Sequence, residues 1–439
     1  MRLFQTLFVL FIITPLFLTA QDDCYDGRYQ EQIFQNYRRI HNVKYGRAMT
    51  SYGINQTLVY DVYMPPLRDE NNNRAAVMLA HGGAYLNLID QKSPEIVKMA
   101  EDLARMGYVV FSVDYREENS FTSLFSEQSM VLAVARSLID IRNATCSIMD
   151  TTINHGNPFG VDPNRVFVGG VSAGSISFLH AVFLDSINWM PPQYRDWILE
   201  LEPNTQALLD NKYCGANVLG VVNISGALLD TSWIKKSKAS EYPPVLHVHG
   251  TEDNIVPYRH KHPIDIKELP KLFGSYYLDK RMQNVGVRSE LDIWKGYGHA
   301  PIFGFNPSGL FSGSPVNFIF NQKIYDASME HITEFFFDRL ECEPLVSKRD
   351  DKPELKLRAY PNPSTDRFYL DIPNEHFNSK MNISIFNISG QEVFYGEYEN
   401  RQNILEIKHN LNNGLYMVNM IFDNGNSANS YSGKMMVSR

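Results

Sequence analysis

Gly170-Val171-Ser172-Ala173-Gly174 places a serine between two glycines at a spacing suited to nucleophilic chemistry. Arg165–Val168 before it reads as a short buried strand, and Ile176, Phe178, Leu179 and Val182 after it recur at helical spacing. A strand must therefore turn sharply into a helix. The flanking glycines let neighbouring backbones approach while the serine sits strained and exposed at the turn. The plainer alternative is a glycine-rich turn with an incidental serine. The strand before and the helix after favour a nucleophile.

A serine hydroxyl attacks poorly unless a base takes its proton, and the base needs an anion to orient it. Asp253 lies in Gly250-Thr251-Glu252-Asp253-Asn254-Ile255-Val256-Pro257, at the end of a buried strand. Glu252 is adjacent and could substitute; Asp253 is placed first. His299 sits in Gly296-Tyr297-Gly298-His299-Ala300-Pro301, a tight loop directly after the last strand of the set. His247 and His249 lie on a strand and His180 on a helix, where packed or hydrogen-bonded roles are the default, and His260 and His262 lack a companion signal. The loop His81-Gly82-Gly83-Ala84 follows another buried strand. Charge developing on a tetrahedral oxygen needs preorganised donors, each worth roughly a hundred- to a thousandfold in rate. Gly83 and Ala84 lead as donors, with Gly82 behind them and Ala173 beside the nucleophile.

The elements that must position these residues alternate from residue 44 onward. Lys44–Tyr52 and Thr57–Met64 read as leading antiparallel strands, and Ala75–Ala80, Tyr108–Val113, Val218–Ile224, Val245–Val248 and Leu291–Trp294 as further strands. A helix with Ser93 as its cap and Pro94 in its first turn ends at Gly107; others span Glu127–Arg142 and about residues 321–341. Such alternation implies an α/β fold with a mostly parallel central sheet and helices on both faces. Ligands in such sheets bind beyond the carboxyl ends of the strands. Between Asp185 and Cys214 the alternation stops. Trp189, Met190, Tyr194, Trp197 and Ile198 make an aromatic insertion that is either a cap over a substrate pocket or a surface helix docked by its aromatics.

Residues 1–20 read as a cleaved signal peptide: Arg2, an apolar run from Leu7 to Leu18, then a small residue before Gln21-Asp22-Asp23. In 439 residues, two domains are the natural expectation. The chain carries −8 at neutral pH, and loss of the leader makes it more acidic, which argues against nucleic acid or an anionic membrane as partner. Four cysteines in an exported chain suggest two disulfides. Three pairings are possible; the one placed first joins Cys24 to Cys342, which would tie the ends of the catalytic domain together, and Cys146 to Cys214, which would close the insertion. No C-x-x-C occurs, so no zinc site is expected.

The catalytic domain is expected over 21–345, with a charged linker at 346–358 around Lys348-Arg349-Asp350-Asp351-Lys352. From 359 to 439, short alternating strands (Phe368–Ile372, Ile383–Asn387, Gln391–Glu397, Leu415–Phe422) imply a small all-β sandwich.

Residues of about 40–341 resemble the α/β-hydrolase superfamily, in the carboxylesterase/lipase branch akin to hormone-sensitive lipase. The resemblance rests on His81-Gly82-Gly83-Ala84, Asp114-Tyr115-Arg116, Asp162-Pro163-Asn164-Arg165, Gly170-Val171-Ser172-Ala173-Gly174, Gly250-Thr251-Glu252-Asp253 and Gly298-His299-Ala300-Pro301. Ala84 stands where many members have a third glycine. Ser175 stands where a glycine is frequent, and reads as a packing variation. Asp114 and Arg116 carry over as structural. The tail, through Tyr360-Pro361-Asn362-Pro363, Ile388-Ser389-Gly390-Gln391-Glu392-Val393, Leu411-Asn412-Asn413-Gly414-Leu415-Tyr416 and Lys434-Met435-Met436-Val437, resembles a type IX secretion sorting domain. That resemblance implies passage across an outer membrane, with the secretion machinery as partner and removal of the tail. A glycan-binding β-module is the alternative.

The joint expectation is a secreted serine carboxylesterase that needs no metal or cofactor, with Ser172 as nucleophile, His299 as base and Asp253 orienting it. His299 Nε2 should then lie within hydrogen-bond reach of Ser172 Oγ, and Asp253 on the other imidazole nitrogen. A serine peptidase of the same fold is one alternative, weighed down by the short stretch before the core. A binding protein on this scaffold is another, weighed down by the presence of every catalytic element.

Overall fold

The computed structural model describes residues 24, 27–86, 91–119, 126–211, 213–303, 320–340, 342, 355–357, 359–372, 379–387, 391–399, 404–423 and 428–438. The leader read at 1–20 and most of the charged run read as linker lie outside them. The chain divides into two compact units, Met1–Pro344 and Leu345–Arg439.

In the first unit, eight strands form one sheet: β1 (Arg38–Met49), β2 (Asn55–Met64), β3 (Arg74–Ala80), β4 (Val109–Val113), β5 (Val161–Val171), β6 (Val218–Ile224), β7 (Val245–Gly250) and β8 (Ser289–Trp294). Their spatial order is β1-β2-β4-β3-β5-β6-β7-β8. β2 pairs antiparallel with β1 and β4, and every other pairing is parallel. Among the described residues the α-helices of this unit are α1 (Pro94–Arg105), α2 (Glu127–Asn154), α3 (Ala173–Phe183), α4 (Pro192–Leu201), α5 (Thr205–Asp210), α6 (Ser275–Val285) and α7 (Gln322–Phe337).

The near-continuous apolar strands follow from burial on both faces. Side chains alternate across a strand, so Val77 and Leu79 of β3 join Val110, Phe167, Val222 and Leu246 under α1 and α7. Ala76, Met78 and Ala80 join Val62, Phe111, Val168 and Val221 under α2, α3 and α6. Ser93 occupies the N-cap of α1, but its hydroxyl makes no cap hydrogen bond. Gly107, at φ +106°, ends that helix as its sequence suggests.

Helix α2 runs well past the expected Arg142, to Asn154. Its second half is rich in polar and β-branched residues with weak helix propensity; burial of Ile148, Met149 and Thr152 keeps it helical. Buried Arg142 donates to the carbonyls of Leu208 at 2.7 Å and Leu209 at 3.1 Å, and also to that of Ala181. It thereby ties α2 to α3 and to the 185–214 insertion. Burial lowers the Arg142 pKa to about 10. In that insertion, Ile198 is buried and the Tyr194 hydroxyl meets Glu127 at the start of α2.

The cysteines pair as Cys24–Cys342 and Cys146–Cys214, with Cα separations of 5.7 and 4.9 Å. The first joins the ends of the unit across 318 residues, and the second fastens the insertion to α2 across 68.

The second unit packs a five-stranded sheet against a three-stranded one, and Phe368, Leu370 and Ile407 share its core with Met381, Ile383 and Val418. Leu355–Lys356, inside the stretch read as linker, pairs with Tyr431 and Ser432. Leu357 beside it is buried in the same core.

Cross-linking distant residues stabilises chiefly by restricting the unfolded chain, and more so for longer loops. Joint replacement of Cys24 and Cys342 by serine should therefore cost about 2–5 kcal/mol. Replacement of Cys146 and Cys214 should cost less, which urea unfolding of both double variants under oxidising conditions will show.

Candidate active site

Ser172 stands between the end of β5 and the first turn of α3 at φ +53° and ψ −117°, a region that L-residues rarely occupy. Such strain costs about 1–3 kcal/mol and persists only where surroundings over-determine it. Here they do. The Ser172 N–H donates to Ile224 O at 2.8 Å, and its carbonyl accepts from Ile176 at 2.9 Å. A Cβ at Gly170 would come within 2.6 Å of Ala80 O. One at Gly174 would come within 2.3 Å of Ala80 O and 2.5 Å of His81 O. The two glycines are thus demanded by the end of β3, which presses against the turn.

His299 lies in the loop after β8 and Asp253 in the turn after β7. Gly250 lets these loops touch, since a Cβ there would fall 2.2 Å from Gly298 O. The structure brings Ser172, His299 and Asp253 together: His299 Nε2 is 2.8 Å from Ser172 Oγ, and Nδ1 is 2.7 Å from Asp253 Oδ2. Each of the three residues is less than a tenth exposed. Glu252 is exposed, and of the two adjacent acids it is Asp253 that meets the imidazole.

Asp253 is held by more than His299. Its Oδ1 accepts from the backbone N–H groups of Ile255 at 2.8 Å and Val256 at 3.0 Å, and His249 Nε2 lies 3.2 Å from Oδ2. Burial works to raise its pKa, but His299 and His249 outweigh it and hold the carboxyl well below the usual range.

The loop carrying Gly82, Gly83 and Ala84 crosses in front of the serine. A Cβ on Gly82 would lie 3.5 Å from Ser172 Cβ, and Gly83, Ala84 and Tyr85 all have positive φ, at +115°, +55° and +61°. The loop carbonyls are pinned: Gly83 O accepts from Leu86 N at 3.0 Å, and the Tyr115 hydroxyl donates to His81 O at 2.8 Å. The Tyr85 hydroxyl donates to Ala173 O at 3.1 Å. Ala173 is the first residue of α3, so its N–H has no partner within the helix. Behind the loop, Glu95 is buried. Burial raises its pKa, while backbone N–H groups, that of Gly82 among them, and neighbouring His81 act the other way.

Arg116 bonds Asp140 at 2.8 Å and Glu202 at 2.5 Å. His180 Nδ1 bonds Ile176 O at 2.8 Å, and burial lowers its pKa to about 4. His260 stacks on Phe273 with ring centres 3.8 Å apart. Ser175 departs from its reading as a packing variation: its hydroxyl donates to buried Asn223 Oδ1 at 2.6 Å. Sequence reasoning also passed over Asn223, Ser275 and the contact of His249 with Asp253. The available signal was polar Asn223 and His247 on neighbouring interior strands, where they stand opposite each other.

A serine at the sharp turn after the fifth strand, in a sheet of this order, defines an α/β-hydrolase fold. Residues 60–230 match the family described as BD-FAE, and residues 358–437 match the Secretion system C-terminal sorting domain. The chain thus carries an esterase domain of BD-FAE type and is a carboxylic ester hydrolase, exported across an outer membrane through its sorting domain. Among curated proteins, none matches the chain. Among solved structures it is similar to esterase 2 of Thermogutta terrifontis. The form phosphorylated by paraoxon is 18% identical over 71% of this chain and 97% of that one, with a TM-score of 0.45. The cyclosarin-phosphonylated form gives 18%, 71%, 97% and 0.43, and the propionate-bound form 18%, 69%, 96% and 0.42.

Gly174→Ala should lower the melting temperature and cut esterase turnover, because overpacking costs about 1–3 kcal/mol and here moves the serine. Asp253 has a depressed pKa, so its ionised form stabilises the fold above the ordinary carboxylate range, and that contribution is lost as pH falls. The stability advantage of the natural chain over Asp253→Asn should accordingly be full at neutral pH and shrink below about pH 4. Urea titrations across that interval measure it.

Proposed function

We propose that the enzyme hydrolyses carboxylic esters by covalent catalysis, with Ser172 as nucleophile, His299 as general base and then acid, and Asp253 as the orienting anion. The observation that carries this reading is the imidazole of His299 bridging Ser172 Oγ at 2.8 Å and Asp253 Oδ2 at 2.7 Å. An imidazole so held takes the hydroxyl proton as Oγ attacks the ester carbonyl, and Asp253 stabilises the resulting imidazolium. The proton then passes to the leaving alcohol and an acyl-enzyme remains. Water, deprotonated by the same imidazole, resolves it and regenerates the serine.

The oxygen that becomes negative in each tetrahedral intermediate is received by the N–H groups of Ala173, Gly83 and Ala84. Gly82, at the start of the same loop, stands close behind these as a donor. The strained backbone of Ser172 serves the same end, because it presents Oγ at the mouth of the turn while keeping the Ala173 N–H beside it.

Ser172→Ala should reduce hydrolysis of p-nitrophenyl acetate by about a millionfold with the melting temperature unchanged. Retained turnover in the folded variant would remove Ser172 from this role. A series of p-nitrophenyl esters of rising chain length, beside acetylated and feruloylated glycans, will define the acyl and alcohol preference.

All the residues named here belong to the unit that ends at Pro344. Residues 21–345 alone should therefore turn over esters at close to the rate of residues 21–439, and should not be exported. A severalfold loss of turnover would show that the tail supports catalysis.

A further inference from the structure

Beneath the reacting groups lies a second set of polar side chains that the proton transfer does not use. Asn223 is on β6, His247 and His249 on β7, Ser275 at the start of α6 and Ser175 on α3; all are at most 1% exposed. At that depth, donors and acceptors need partners, and the partners present dictate one arrangement of hydrogens. Asn223 Oδ1 accepts from Gly226 N–H at 2.8 Å and from Ser175 Oγ at 2.6 Å. A flipped amide would set its NH2 group against the Gly226 N–H, so the orientation is fixed. The Asn223 amide nitrogen then donates to His247 Nδ1 at 2.7 Å and to Ser275 Oγ at 3.2 Å.

Ser275, already receiving an N–H, donates its own proton to His249 Nδ1 at 2.7 Å. This leaves the His249 proton on Nε2, which faces two acceptors, Val256 O and Asp253 Oδ2, each at 3.2 Å. Asp253 Oδ2 is the same oxygen that meets His299 Nδ1. Gly226 shows how closely the set is built: a Cβ there would lie 2.4 Å from Asn223 Oδ1 and 2.6 Å from Ser175 Oγ.

We propose that His249 and Ser275, oriented by Asn223, are positioning residues for ester hydrolysis. A one-way chain of buried hydrogen bonds runs from the nucleophile helix to the carboxylate of Asp253. It rests on the reading of Ser172, His299 and Asp253 as the catalytic set. The chain does two things. It anchors Oδ2 where His299 needs it, and it divides the charge of that oxygen between two imidazole N–H groups. Without the His249 donor, Oδ2 becomes more basic and holds the His299 imidazolium more tightly, so the neutral base is lost at a higher pH. The ionisable groups meeting Asp253 are His249 on β7 and His299 in the loop after β8, while neighbouring Glu252 is exposed.

The test compares kcat, KM, the pH profile and the melting temperature of the full secreted chain with those of His249→Leu, His249→Gln and Ser275→Ala, with Ser172→Ala as control. His249→Leu should lower kcat about tenfold or more, leave KM within about twofold, and move the acid limb of kcat/KM to higher pH. His249→Gln, whose amide N–H reaches the same carboxylate, should restore most of the loss. Ser275→Ala removes one hydroxyl and should shift the limb in the same direction by less; if His249→Leu does not fold, this variant and His249→Gln decide. A lowered melting temperature with kcat and acid limb unmoved would reduce these residues to packing and overturn the inference. If Ser172→Ala itself stays active, the assignment of the nucleophile falls instead.

Discussion

The carbonyl oxygens of Ala80 and His81 set the tolerance on which the site depends. They press so closely on the turn between β5 and α3 that neither Gly170 nor Gly174 has room for a Cβ. With the turn clamped from that side, Ser172 has no relaxed conformation to fall back to, and its φ of +53° is a property of the sheet rather than of the serine. The same strand end continues directly into the loop of Gly82, Gly83 and Ala84. One contact therefore fixes both where Ser172 stands and where the loop facing it begins.

What was legible in the sequence was what repeats or punctuates. Buried strands announced themselves as apolar runs, and Asp253 and His299 stood out because each follows such a run in a glycine-containing loop. The second half of α2 was not legible, because Thr145, Thr151 and Thr152 weaken local helical preference and only burial restores it. The last strand, Ala428–Val437, was missed for a related reason. Its serine, asparagine and glycine residues carry little β-propensity, yet it pairs with Gly414–Asp423 along its whole length. The polar set under Asp253 was hidden most deeply. Asn223, His249 and Ser275 are tens of residues apart, and only strand register and the docking of α6 bring them together.

The two units divide the work by different physics. The first relies on a sheet covered on both faces, so its loops at one edge are held from below by a large apolar mass. The second has a single small core between two sheets, which suffices for a surface to be recognised and asks nothing of side-chain chemistry. Esterase and sorting functions thus sit on separately cored pieces of one chain.

Joining Cys24 to Cys342 makes the hydrolase unit a covalent ring. The first cysteine is made early and stays without its native partner until nearly the whole unit has followed. Closure of the ring therefore needs the whole unit, and its second cysteine falls just ahead of the sorting domain in the chain. Once closed, the ring resists unravelling from either of its ends.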